Sequence, residues 1–232
     1  MNPSPERHWK DNAFLRTFNH KHNFNSKDLE GLSSLCRSPR HVERGKELLP
    51  DPDRTVIILE GFCRSYRSFS DGRQVIFDFR IPGDLACLRN VVIGRTRQQL
   101  AAATDAVVCF VPTQAIRKLI DSSPFLREAF VDRLDAEDAN LADHFAHLAR
   151  SSAVGRMAAL LLNLLERMDS VGFVRNLAFP LPITQDDMAD ALGLTPVHVN
   201  RTLRQLRETR IANVARGRIS ILDLPALRAL TA

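Results

Sequence analysis

The chain has 232 residues, 44% hydrophobic and 25% charged, with a formal net charge of +5 and a pI near 9.4. That is enough material for two modest domains or one large one with real cores, and it excludes a disordered chain. The polar opening MNPSPERHWKDN excludes a signal-peptide core, and no apolar run approaches the ~20 residues of a membrane span, so a cytoplasmic protein with no membrane partner is expected.

Residues 1–12 read as a loose arm. Residues 13–36 read as two helical pieces. Phe14, Leu15 and Phe18 form one apolar patch; Asn25 or Ser26 caps a second piece carrying Leu29, Leu32 and Leu35, which Pro39 ends. From His41 to Pro112 the hydrophobic period falls to two. Val56–Leu59 is a short apolar run followed by Gly61, and Asp71-Gly72 is a hairpin signal. Gln74–Phe79 alternates, with Val75, Phe77 and Phe79 on one side and Gln74, Ile76 and Asp78 on the other. Pro82-Gly83-Asp84 is a further turn, and Leu100–Ala103 and Ala106–Val111 are further strands. With no helix between them, these strands predict an antiparallel β-roll rather than a parallel sheet.

From Thr113 the period is helical again. Gln114–Ile120 is a short helix. Ser122 or Ser123 then caps a long one that starts at Pro124. Along it Val131, Leu134, Asp138, Leu141, Phe145 and Leu148 alternate spacings of three and four, the seam of a coiled coil with one polar interruption. The competing reading is a helix packed only on its own domain; the charges flanking the seam favour a dimer partner. Ser151-Ser152 breaks this helix and caps the next, whose apolar face from Val154 to Met168 is wide enough to be a domain core; Gly172 ends it. The expected division is 1–112 (roll with N-terminal helices), 113–150 (short helix and long dimerisation helix) and 151–232.

The last division is the most informative. In TQDDMADALGLTPVHVNRTLRQL, Thr184 caps a helix with Asp187 three residues on, close to a capping box, and Met188 and Leu192 form its buried face. Gly193 allows a sharp turn. Thr195 caps a second helix with Pro196 at its first position. Val199, Leu203 and Leu206 form the inner stripe; His198, Arg201 and Gln205 face outward with Asn200 and Arg204 on the flanks. A hairpin follows, Ile211–Ala215 and Ile219–Leu222, with Arg216-Gly217-Arg218 at its tip, and Asp223 caps a last helix. Between Thr195 and Arg218 six arginines meet one acid, Glu208. Two capped helices about a glycine, a basic outer face and an arginine-tipped wing suit the DNA major groove and its phosphates. An ordinary αα-corner with a solvated face is the plainer reading, and the combination argues against it. The DNA-contacting set is Thr195, His198, Asn200, Arg201, Arg204, Gln205, Arg216 and Arg218.

The whole order resembles the Crp/Fnr family of bacterial transcription regulators. ITQDDMADALGLTPVHVNRTLRQLRE and RIANVARGRISILD carry the resemblance most strongly; VIILEGFCRSYR, DGRQVIFDF and IPGDL are similar to the family's roll strands and turns. The resemblance implies an α+β fold: an N-terminal antiparallel, cyclic-nucleotide-binding-like roll, a long dimerisation helix and a C-terminal winged helix-turn-helix. It implies a homodimer on a palindromic site, gated by a signal read in the roll, with RNA polymerase as a further partner if the protein activates. Arg201 matches the family's guanine-pairing arginine. Val197 stands where many members carry a base-reading glutamate, and Pro196 replaces a polar residue, which shifts readout to His198 and Asn200.

The sensor half departs from the family pattern. No Gly-Glu pair follows Gly83-Asp84-Leu85, and Arg95-Thr96 stands alone, so cyclic AMP is not expected. Cys36, Cys63, Cys87 and Cys109 lack the clustered spacing of a four-iron cluster; buried, reduced thiols are the expectation, with no cofactor and no metal. His144 and His147 lie three apart on the long helix without a carboxylate partner set, and His20 and His22 carry no ligand pattern. No nucleophile elbow, phosphate loop or dinucleotide loop points to an enzyme. The alternative to a regulator is a ligand-binding module acting on a protein partner through the helix-turn-helix.

Overall fold

The computed structural model describes residues 12–18, 24–48, 53–94 and 99–231. The elements in order are α1 (Ala13–Phe18), α2 (Ser26–Ser34), β1 (Pro39–Val42), β2 (Arg54–Glu60), β3 (Cys63–Ser68), β4 (Gln74–Arg80), β5 (Leu85–Ala86), α3 (Arg89–Ile93), β6 (Gln99–Ala102), β7 (Ala106–Pro112), α4 (Thr113–Ser122), α5 (Pro124–Arg150), α6 (Ala153–Ser170), β8 (Ala178–Pro180), α7 (Gln185–Leu192), α8 (Pro196–Glu208), β9 (Ala212–Ala215), β10 (Arg218–Ile221) and α9 (Leu224–Ala229). The chain forms two compact units, residues 1–65 with 79–138, and residues 66–78 with 139–232.

The first unit is built on the roll sheet of order β1-β7-β2-β5, and the roll's second sheet has the order β4-β3-β6. β2 pairs antiparallel with β7 from Arg54↔Pro112 to Ile58↔Val108, with a register shift before Glu60. Successive β2 side chains enter different cores. Val56 and Ile58 join Cys63, Ala86, Leu100 and Val108 inside the roll. Ile57 points the other way, into a core with Phe14, Leu32, Leu85, Ile116 and Phe130. Period two with both faces covered is why the run reads as continuously apolar. The same alternation holds along β7, with Val108 inside and Cys109 and Val111 outside. Phe14 and Phe18 meet edge to face at 5.1 Å, and Asn25 closes a capping box on α2 with Asp28.

Several local expectations are corrected. α2 ends at Ser34, and Pro39 instead opens β1. A short helix, α3, does intervene between the strands. It starts after Cys87, which sits at φ +63°, and Arg117 Nε donates to the Val91 carbonyl at 2.7 Å, supplying its last turn with a donor. The registers given for the strands remain antiparallel. On β4 it is Ile76, with Phe79, that is buried, while Val75 and Phe77 are half-buried. α4 is longer than expected, while Gly172 ends α6 as expected, left-handed at φ +78° just after the Val171 cap.

The second unit is a winged helix. Ser152 accepts the Gly155 N–H at the start of α6, whose Met157, Leu161, Leu164 and Met168 are buried. Phe179 from β8, Met188 and Leu192 from α7, Val199 and Leu206 from α8, and Ile219 from β10 are buried as well. β10 lies between β8 and β9, antiparallel to both. Among the described residues no helix is long and apolar enough to cross a membrane.

Candidate nucleic-acid interface

The two helices of the motif are set by their ends. Thr184 Oγ1 accepts the Asp187 N–H at 3.1 Å, and Asp187 Oδ2 accepts the Thr184 N–H at 3.0 Å, so the capping box is complete. Gly193 closes α7 at φ +61°, a backbone that L side chains resist. Thr195 Oγ1 then accepts the His198 N–H at 3.3 Å, and Pro196 fills the first position of α8. Inward, Val199, Thr202 and Leu206 are buried. Leu203, expected in that stripe, is only half-buried. Thr202 takes its place because buried positions three and four apart drift around a helix of 3.6 residues per turn.

Outward, His198, Asn200, Arg201, Arg204 and Gln205 are all exposed, as is Thr195. Arg204 Nε is held by Glu208 at 2.7 Å, and Asn200 donates to Gln185 Oε1 at 3.4 Å. Arg201 makes no ion pair with any described residue. An open concavity of about 430 Å³ is lined by Gln185, Pro196, Val197, Asn200, Arg201 and Arg204. Val197, Pro196 and Gln185 were missing from the expected contact set. The available signal was an apolar residue on the polar face of an otherwise regular amphipathic helix.

The wing is a two-residue hairpin. Ala215 pairs with Arg218, leaving Arg216 and Gly217 as the turn at φ +51° and +69°. Two successive positive φ values give the mirror-image turn that matches strand twist. Arg216 and Arg218 are exposed at its tip. After α8, Arg210 is left-handed at φ +56°. Its N–H reaches the Arg207 carbonyl, and the Ile211 N–H reaches the Leu206 carbonyl, a Schellman closure that usually carries glycine.

On α5, Val131, Leu141 and Phe145 are 57%, 45% and 71% exposed. Leu134 is half-buried against the first unit's own core, and Leu148 is half-buried. Asp138, the polar interruption, is ion-paired with Arg89 of its own chain.

In the first unit Arg80 is buried, with Nη1 on Glu137 Oε1 at 2.7 Å and Nε donating to Ser65 Oγ at 3.2 Å. Asp84 is buried too, accepting from Arg133 at 3.1 Å and from the Ile81 N–H at 2.9 Å. Cys63, Cys87 and Cys109 are buried and Cys36 half-buried. Burial pushes the Cys36 and Cys63 thiols up to about 12, and Cys109 upward as well. His147 Nδ1 lies 2.9 Å from Ser151 Oγ, while burial lowers the His144 pKa. Arg95-Thr96, His20 and His22 lie outside the described residues.

Residues 155–230 match the Crp-like helix-turn-helix domain, and residues 40–123 match the cyclic nucleotide-binding domain. The chain belongs to the Crp/Fnr family of transcription regulators. It is 29% identical to the nitrogen fixation regulation protein FixK of Bradyrhizobium diazoefficiens, over 98% of this chain and 96% of that one. It is 27% identical to the fumarate and nitrate reduction regulatory protein of Vibrio cholerae, over 86% and 80% of the two chains. The structure of FixK2 from Bradyrhizobium japonicum shares its fold, with a TM-score of 0.72 at 24% identity, covering 84% of this chain and 97% of that one. This Crp/Fnr protein is thus a transcription regulator with a helix-turn-helix DNA-binding domain. The relatives it matches are regulators rather than enzymes.

Proposed function

We propose that this Crp/Fnr regulator binds a palindromic DNA site as a homodimer. α8 enters the major groove, Arg201 pairs with a guanine, and His198, Asn200, Arg204 and Gln205 complete base and backbone contacts. Thr195, Arg216 and Arg218 hold phosphate. The observation that carries the reading is the uncompensated Arg201 on an exposed face whose other arginine, Arg204, is tied to Glu208. Guanidinium is bidentate to guanine O6 and N7, and each such pair contributes roughly 1–3 kcal/mol of discrimination.

The dimer forms along Val131, Leu134, Asp138, Leu141, Phe145 and Leu148. Three large apolar side chains on one exposed helical face support this. A signal read in the roll gates the recognition helices through α5, and RNA polymerase is a partner if the protein activates. The setting is the cytoplasm, with no membrane partner.

Neither a cyclic nucleotide nor a four-iron cluster is part of the proposal. The lack of a Gly-Glu pair after Gly83-Asp84-Leu85 argues against a cyclic nucleotide. Cys36, Cys63, Cys87 and Cys109 lack the clustered spacing of a four-iron cluster.

Selection of bound sequences from a random duplex library, with no ligand added, tests the reading. An enriched palindrome supports a dimeric reader active by itself. Salt-sensitive, unselective binding points to a missing signal. No binding at any salt overturns the proposal in favour of a protein partner on the same surface.

A further inference from the structure

We infer that Val197 is a base-reading residue that packs on a thymine methyl beside the guanine taken by Arg201. The inference rests on the DNA-reading role of α8 proposed above and adds an apolar interaction that the polar residues cannot supply.

Val197 is 76% exposed, the highest value among the large hydrophobic side chains described. An isolated exposed valine is ordinary on a protein surface. This one is not isolated from chemistry. It stands one helical turn before Arg201, so the two side chains share a face, and both line the open concavity at the start of α8. Its neighbours on that face are already engaged. Asn200 leans on Gln185 and Arg204 is held by Glu208. A methyl-bearing side chain and a guanidinium without an ion pair among the described residues therefore project together from the first turns of the helix. Val197 makes no contribution to the core, since its inner-face neighbour Val199 is the buried one.

Valine has no donor or acceptor, so it cannot tell bases apart by hydrogen bonding. In the major groove only thymine presents a methyl group, at C5. An apolar side chain beside a guanine-reading arginine thus selects a thymine close to that guanine. Pro196 fixes the entry of the helix without competing for a hydrogen bond.

The test removes the methyl from the DNA instead of the protein. Each thymine of the selected palindrome is replaced in turn by deoxyuridine, symmetrically in both half-sites, and affinity is measured for the wild type, Val197→Ala and Arg201→Ala. Removing one buried methyl corresponds to about a fourfold weakening per half-site. We expect that weakening at one thymine within two base pairs of the guanine whose readout Arg201→Ala abolishes. Val197→Ala should bind the natural site correspondingly more weakly and be indifferent to deoxyuridine there. A wild type that binds the palindrome yet ignores every deoxyuridine overturns the inference and leaves the proposed function standing. So does a Val197→Ala variant that keeps the full thymine preference. Absence of DNA binding at any salt removes both together.

Discussion

The roll and the winged helix use arginine in opposite ways. In the roll, Arg80 is 5% exposed at its side chain and meets a 14% exposed Glu137, with Ser65 on its Nε, while Arg133 holds the buried Asp84. In the winged helix, Arg201, Arg207, Arg216 and Arg218 are exposed, and the one acid among them is spent on Arg204. Buried charge must be matched where it stands, because desolvation costs several kcal/mol per ion. Exposed, unmatched charge costs little and is available to a polyanion. The first kind fixes a structure; the second is held for a partner.

The sharpest way to break this contrast is Arg80→Met. It strands Glu137 and should destabilise the protein by about 3–5 kcal/mol in urea unfolding, whereas Arg80→Met with Glu137→Leu should recover most of that stability. A double variant as unstable as the single one would show that Arg80 acts through other partners. Leu141→Asp should abolish dimers in sedimentation and weaken specific DNA binding with them; a variant that stays dimeric and binds normally disproves the seam. Arg201→Ala should lose roughly 1–3 kcal/mol of specific affinity and relax one base position, with stability changed by no more than about 0.5 kcal/mol. Equal losses on specific and random duplex would place Arg201 on phosphate. Arg218→Ala should weaken binding evenly across sequences, and the salt slope should become shallower by about one for each phosphate no longer neutralised.

The smallest effect concerns pH. Burial lowers the His144 pKa, opposed by the Asp78 carboxylate and the Ala191 carbonyl and reinforced by His147. The neutral ring is favoured in the fold, so its contribution is present above the ordinary value of about 6.5 and lost as pH falls through the lower, folded value. His144→Gln should flatten the stability profile on that acid side. At the alkaline end Cys36 and Cys63 behave in the reverse sense: stability is intact below about 8.5 and declines as pH rises toward 12. Both should resist alkylation at pH 8 until the protein is unfolded.

Much of the molecule was legible in the chain itself. The winged helix announces itself because each signal is local: Thr184, Gly193, Thr195 and Pro196 fix helix ends within a few residues. The roll was legible as strands but not in its details. Ile76 and Val75 cannot be ranked by alternation when both sides of a strand are apolar. α3 is held by Arg117 from a later helix and by Asn90 reaching the Arg54 carbonyl, hydrogen bonds between distant parts of the sequence. The ion pairs of Arg80 and Asp84 are likewise invisible without the fold. At the DNA face the sequence singled out the arginines, because charge is conspicuous. Val197 was noted there only as a replaced glutamate, because its exposure is visible only in the fold.

The left-handed Arg210 bears on how far the fold can be stabilised. A side chain there costs roughly 1–2 kcal/mol of backbone strain relative to an unstrained conformation, which glycine would largely avoid. The protein therefore carries a reserve of stability that a single substitution could release. Arg210→Gly would release that reserve while taking one exposed positive charge from the end of α8.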